Sequence, residues 1–358
     1  MRQLTASPVV ALLVLSVSSM FTFHVAAAYG NSSRVKREAS ALTPAASHPR
    51  AVSQSRPDVF DGERAFGHVR KMVETGPRPA GSKELARVRD YLIGELKSCG
   101  LKVSKDEFQT STPVGTRLMT NLTADLPGAS TDFIIIASHY DTKPFKDFRF
   151  VGANDGGSST GVLLELARVL AATPRQNRLS YRFVFFDGEE AFCRGWDDCG
   201  KPGSPDNTYG SRHYLARLRR DGELRQTRAL ILLDMIGYSK LELGRDTMST
   251  PWLMDAIWQT ARELGREKQF VARAEGVGGD DHEAYLSAGV PAVDLIQLST
   301  YPHWHTRADT LDKISPQSLK TVGDVVLASL PRIEEKLLSG EIKNRKSSEG
   351  SGEVPPRR

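Results

Sequence analysis

Four short, nearly unbroken apolar runs constrain this chain most: Phe133–Ala137, Tyr181–Phe186, Ala229–Leu233 and Ala292–Ile296. A strand with one face in water alternates polar and apolar residues. A run that does not alternate is covered on both faces, the condition of strands in a parallel sheet. Stretches with helical spacing lie between and after these runs, at Ser158–Leu170, Tyr209–Leu218, Pro251–Leu264, His282–Ser287 and Ser318–Lys336. In the first of these, Leu163, Leu164, Ala167 and Leu170 share one side. Upstream, helical spacing over Ala65–Val73 and Lys83–Ser98 is broken by Gly76–Gly81, and two strand-like stretches follow, Leu101–Phe108 and Arg117–Ala124. Strands alternating with helices predict an α/β fold: a mostly parallel sheet flanked by helices on both faces.

The flanks read differently. Arg2, an apolar run from Val9 to Val17 and the small residues Ala26, Ala27 and Ala28 form a secretory signal over residues 1–28. Ser16, Ser18, Ser19, Thr22 and His24 interrupt the apolar stretch before it could span a bilayer, and no other segment could cross one. The chain is therefore expected to be exported, with no integral membrane span after cleavage near Ala28. Residues 29–57 are rich in Ser, Ala, Pro and basic side chains without periodicity, a flexible spacer, and residues 344–358 form a disordered tail. The expected folded unit is a single domain over residues 58–343. Cys193 and Cys199 share a polar, Gly-rich segment that could close a small disulfide loop, leaving Cys99 as a small buried hydrophobe. Their spacing does not match a structural zinc motif. Asn31-Ser32-Ser33 and Asn121-Leu122-Thr123 fit glycosylation acceptors. The net charge of +5 comes from 48 basic against 43 acidic residues and sits partly in the tails. Without a basic stripe interleaved with aromatics, nucleic acid is not an expected partner.

The polar residues of interest share one address. His139 and Asp141 follow the first buried run, and Asp187, Glu189 and Glu190 follow the second. Asp234 closes the third, while His303 and His305 come shortly after the fourth. Alone, a strand-end Asp is a cap or turn residue and a lone His a structural hydrogen-bonder. Together they deliver carboxylates and imidazoles to one sheet edge, where sites of open α/β sheets form. Carboxylates plus His without Cys suit a hydrolytic or Lewis-acid zinc. The glycines of Gly152–Gly157 (GANDGG) allow a tight loop aiming Asp155 inward, and adjacent Glu189 and Glu190 can point apart from an extended segment.

At these residues the chain resembles the zinc-dependent aminopeptidase clan known as family M28. The resemblance rests on Ser138-His139-Tyr140-Asp141, Gly152-Ala153-Asn154-Asp155, Phe185–Glu190, Leu233–Gly237 and His305-Thr306, in family order over about residues 58–333. Within the clan it more closely resembles the glutaminyl cyclases, through Trp304 before His305, Asp280-Asp281-His282, Phe186–Phe192, Trp196 and Tyr209–His213. Asn154–Ser158 is closer to the peptidase version, and Cys193–Asn207 carries an insertion rich in Gly, Pro and Asp. The resemblance implies a three-layer, zinc-exopeptidase-like sandwich. It implies one zinc held by Asp155, Glu190 and His305, with Glu189 as acid/base and Asp234 and Asp280 in a hydrogen-bonded carboxyl network. Trp196 and Trp304 are then the walls of a pocket for the N-terminal glutamine of peptides or proteins, and the product is a pyroglutamyl N-terminus. The alternative is a two-zinc aminopeptidase, with Asp155 bridging, His139 and Asp234 on one metal and Glu190 and His305 on the other. A third reading is an inactive binding ectodomain on the same fold.

Overall fold

The computed structural model describes residues 59–173, 177–201 and 203–339. The expected signal segment, spacer, tail and Asn31 acceptor lie outside the described residues. Two helices open the fold, α1 (Gly62–Thr75) and α2 (Lys83–Ser98). Each is started by a side-chain cap, Asp61 accepting from the Glu63 and Arg64 amides and Ser82 from the Leu85 amide. A long hairpin follows, β1 (Lys102–Thr112) and β2 (Gly115–Leu126). It runs past both predicted strands to the turn, because its outer part is a polar ladder with no apolar signal.

Then come β3 (Phe133–His139), α3 (Gly157–Ala172), β4 (Ser180–Phe186), a two-residue hairpin β5 (Gly200–Lys201) and β6 (Ser204–Pro205), α4 (Tyr209–Arg220) and β7 (Thr227–Asp234). The chain ends with β8 (Leu243–Asp246), α5 (Pro251–Glu263), β9 (Phe270–Glu275), α6 (Glu283–Ser287), β10 (Ala292–Ile296) and α7 (Pro316–Leu338). The main sheet has six strands in the order β1-β2-β4-β3-β7-β10. The four apolar runs are its parallel part, and the hairpin adds two antiparallel strands at one edge. The parallel pair β8–β9 was not anticipated.

The period of two along the strands sorts the core into two layers. Ile134, Ile136, Phe183, Phe185, Ile231 and Leu233 face the layer that contains α1, α2, α3, α5 and α7. Phe133, Ile135, Val184, Phe186, Leu230 and Leu232 face the smaller layer of α4 and α6. The result is the expected sandwich of helices, sheet and helices. All of β3 is buried, so truncating Ile135 to Ala should cost about 2–5 kcal/mol.

Three local expectations resolve here. Cys193 and Cys199 are disulfide-bonded. Cys99 is free but half-buried at the end of α2, packed on the margin of the core rather than inside it. Asn121 is not a glycan acceptor: it is buried on β2, donates to the Gly210 carbonyl (2.9 Å) and accepts from the Asp187 amide (3.1 Å).

Candidate metal centre

From β3 the chain passes to β4 on one side, and from β4 it crosses to β7 on the other. Strand connections therefore part at the carboxyl end of β3, leaving a crevice. His139 ends β3, Asp234 ends β7, and Glu189 and Glu190 follow β4. The loop before α3 supplies Asp155 and the segment after β10 supplies His305.

The donor atoms converge. His305 Nε2 lies 3.4 Å from Asp155 Oδ2 and 3.2 Å from Glu190 Oε2. On the other side of the same carboxylate, His139 Nε2 lies 3.3 Å from Asp155 Oδ1 and 3.2 Å from Asp234 Oδ1. Bonds of about 2.0–2.1 Å in a tetrahedron put neighbouring ligand atoms about 3.3–3.4 Å apart. Hydrogen bonds from imidazole would be shorter, near 2.8 Å. Asp155 Oδ2, Glu190 Oε2 and His139 Nδ1 are buried without a hydrogen-bond partner among the described residues. Orphaned oxygens at metal-edge spacing, with nitrogen and oxygen donors only, fit zinc. Two triads share Asp155: Asp155–Glu190–His305 and His139–Asp155–Asp234.

The backbone is shaped for this arrangement. Gly156 has φ +69°, and a Cβ there would stand 2.8 Å from the His139 ring, so the loop that turns Asp155 inward needs glycine. Two non-glycine residues of the centre also take positive φ, His305 (+52°) and Met235 (+47°), a conformation held only where surrounding structure enforces it. Asp141 accepts from the amides of Glu189 (3.2 Å) and Glu190 (3.3 Å) and faces His139 Nδ1 (3.4 Å), fixing the di-glutamate segment and the ring together. Asp309 accepts from the amides of Asn154 (2.8 Å) and Asp155 (3.1 Å). Arg78, fully buried, donates to the carbonyls of Tyr140, Val151 and Gly152 and sets a cation beneath the acids. Sequence reasoning singled out Asp141 without this role and missed Arg78 and Asp309. Arg78 sat in a segment read as a chain breaker, and a lone Asp309 gave no signal.

Burial governs the charges. Glu189 is held well above the usual carboxylate range by burial, reinforced by Glu190, Asp280 and Asp281 and opposed by His139. Burial also raises Asp234, to about 7, with Asp155 and Asp280 adding and His139 subtracting. For His305, burial alone would lower the pKa, but Glu190 and Asp155 reverse it and carry it to about 9. His139 is likewise driven well above its ordinary value, burial being outweighed by Glu189, Asp141, Asp155 and Asp234. A buried carboxyl raised above its usual range in such a cluster can take and return a proton.

Asp155, Glu189, Glu190, Asp234, Asp280, His305, Trp196 and Trp304 all line one cavity of about 190 Å³. Trp304 stacks on His305 with ring centres 4.2 Å apart, and Phe145 and Phe150 meet the same imidazole edge-on. The carboxyl network differs from the expected one. Asp234 faces His139 and Asp280 lies beside His282 and Asp294, and between Asp234 and Glu189 stands the His139 ring, its Nδ1 3.7 Å from Glu189 Oε2. Asp187 and His303 stay outside the centre. The first accepts from the Thr120 amide (2.8 Å), and the second packs against Tyr238 and Tyr301.

Residues 121–330 match peptidase family M28. A glutaminyl-peptide cyclotransferase of Bothrops jararaca is 30% identical over 71% of this chain and 76% of its own length. The crystal structure of an Acidobacteriales bacterium glutaminyl cyclase superposes with a TM-score of 0.72 at 35% identity, covering 81% of this chain and all of that one. A structure described as a leucine aminopeptidase precursor from Bacteroides thetaiotaomicron scores 0.70 at 28% identity, over 77% of this chain and 98% of that one.

Proposed function

This chain belongs to peptidase family M28, among its glutaminyl-peptide cyclotransferases, and from that premise we propose that it cyclises N-terminal glutamine of peptides or proteins to pyroglutamate with release of ammonia. The observation that carries the reading is one cavity holding the Asp155–Glu190–His305 triad, the free carboxyl of Glu189 and two tryptophan walls. Asp155, Glu190 and His305 would hold a zinc, which would supply Lewis-acid chemistry at the γ-amide carbonyl. Glu189, buried and not part of the triad, accepts a proton from the attacking α-amine and returns it to the departing ammonia. Asp280 on the cavity wall adds to the proton affinity of Glu189, and Asp234 lies across the His139 ring from it. Trp196 and Trp304 enclose the short glutamine side chain and keep water from the ring-closing step. That step joins two ends of one residue, so holding them in contact supplies much of the rate. The Cys193–Cys199 disulfide supports an exported protein, because such bonds persist in oxidising compartments.

The second reading is the two-zinc aminopeptidase, favoured by the outward spread of Asp155, whose Oδ1 and Oδ2 face His139 and His305 separately. Incubation with Gln-initiated peptides decides between them. The cyclase yields ammonia and no free amino acid with close to one zinc per chain. Release of the first residue with two zincs per chain overturns the proposal in favour of the peptidase.

A further inference from the structure

The insertion from Cys193 to Asn207 adds more than length to this site. Trp196 sits at the middle of the ring that Cys193 and Cys199 close, in a segment without helix or strand, so nothing regular in the backbone holds it. It also borders two cavities, the catalytic one and a second of about 620 Å³ bounded by Cys199, Asn207 and Glu283. An indole with open space behind it keeps its place only if its backbone is tied down.

Three ties are present. The disulfide joins both ends of the ring. The buried Asp206 carboxylate accepts from the Cys193 amide (2.8 Å) through one oxygen and from the Tyr209 hydroxyl (2.6 Å) through the other, docking the ring on the start of α4. The buried Asn207 side chain donates to the carbonyl of Trp196 itself (3.3 Å).

We propose that the Cys193–Cys199 disulfide and Asn207 are positioning elements that hold Trp196 as the wall of the substrate pocket. The inference rests on the cyclase reading of that pocket. The metal triad and Glu189 lie outside this ring, and Asp141 holds the amides of Glu189 and Glu190 from the end of β3. Freeing the ring leaves Trp196 in place for only a fraction of the time, and apparent affinity falls by that fraction while the chemistry of the bound complex persists.

The test uses the zinc-loaded full chain and a glutaminyl peptide, with ammonia release followed. Replacing Cys193→Ser together with Cys199→Ser should raise KM about fivefold to tenfold with kcat within about twofold. Asn207→Ala, which keeps the disulfide, should raise KM in the same direction and covers the case in which the double variant does not fold. On a Trp196→Ala background the two serine changes should add nothing further, since the group they position is gone. A KM equal to wild type in both variants, or an effect that adds fully to Trp196→Ala, overturns the proposal. If the unaltered enzyme releases no ammonia, the cyclase reading has failed instead. Amide hydrogen exchange over residues 193–200 then decides, because the proposal requires faster exchange in both variants and is rejected if exchange is unchanged.

Discussion

Two groups of buried carboxylates in this molecule have opposite surroundings. On the helical side, Glu165 accepts from the Asp61 amide (2.9 Å) and from two nitrogens of Arg168 (2.7 and 2.6 Å). Glu334 on α7 accepts from the Tyr181 hydroxyl (2.8 Å) and the amides of Leu179 and Arg178. At the strand ends, Asp155 Oδ2 and Glu190 Oε2 accept no hydrogen bond among the described residues. His305 Nε2 lies 3.4 and 3.2 Å from them, and Lys143 Nζ lies 3.8 Å from Glu190 Oε2. Glu189 is raised by burial and its acidic neighbours. A buried carboxylate with donors is a strut, because its desolvation is offset locally. One without donors needs a cation or a proton from elsewhere, and the fold tolerates it only for what it binds or transfers.

The largest effect that contrast predicts is at Glu189. Glu189→Gln removes the proton acceptor and leaves the triad whole, so kcat should fall about 10²–10⁴-fold. Zinc content should stay at the wild-type level by metal analysis. The metal-free variant should melt no lower than metal-free wild type, because a buried acid among acids contributes nothing to stability. Loss of zinc, or a clear drop in melting temperature, would make Glu189 a ligand or a strut and erase the distinction between the two groups.

The reverse holds for Glu334. Glu334→Leu should leave turnover within about twofold, yet the Tyr181 hydroxyl and two amides lose their acceptor at a cost of about 1–3 kcal/mol. Urea unfolding measures this directly. A variant as stable as wild type would show that satisfied hydrogen bonds do not mark the struts.

The sequence revealed this contrast only in part. The four buried runs showed the parallel sheet because strands covered on both faces leave a composition signal. The residues of the candidate metal centre stood out because carboxylates and imidazoles recur after those runs. What stayed hidden depends on three-dimensional closure. Asp141 and Asp309 act through backbone amides far away in the chain, and Arg78 reaches three carbonyls from a loop. Asp294 lay inside a run read as plain core, yet it lies beside Asp280 and His282. The β8–β9 pair is short, and only the two end residues of β9 are buried, so its pattern does not stand out. Asn121 was misread because an acceptor motif carries no information about burial.

The smallest effect concerns His68 on α1, in the donor-rich region. Its Nδ1 lies 2.6 Å from the Tyr91 hydroxyl, and burial, helped by Arg64 and Arg168, lowers its pKa from 6.5 to about 4. The folded state therefore prefers the neutral ring. Above pH 6.5 the ring is neutral folded or unfolded and favours neither state. As pH falls below 6.5 the unfolded chain takes up a proton that the folded one refuses until about pH 4, so stability drops across that window. At pH 5.5 the drop is about 1.4 kcal/mol. Acids held above their usual range, such as Asp234 near 7, respond in the opposite sense and gain stability on acidification. Comparing wild type with His68→Gln isolates the histidine: between pH 7.5 and 5.5 the unfolding free energy of wild type from urea titration should fall further by about that amount. Parallel curves for the two proteins would mean that the ring titrates normally in the folded state, and that donor-rich burial in this layer does not discriminate against charge.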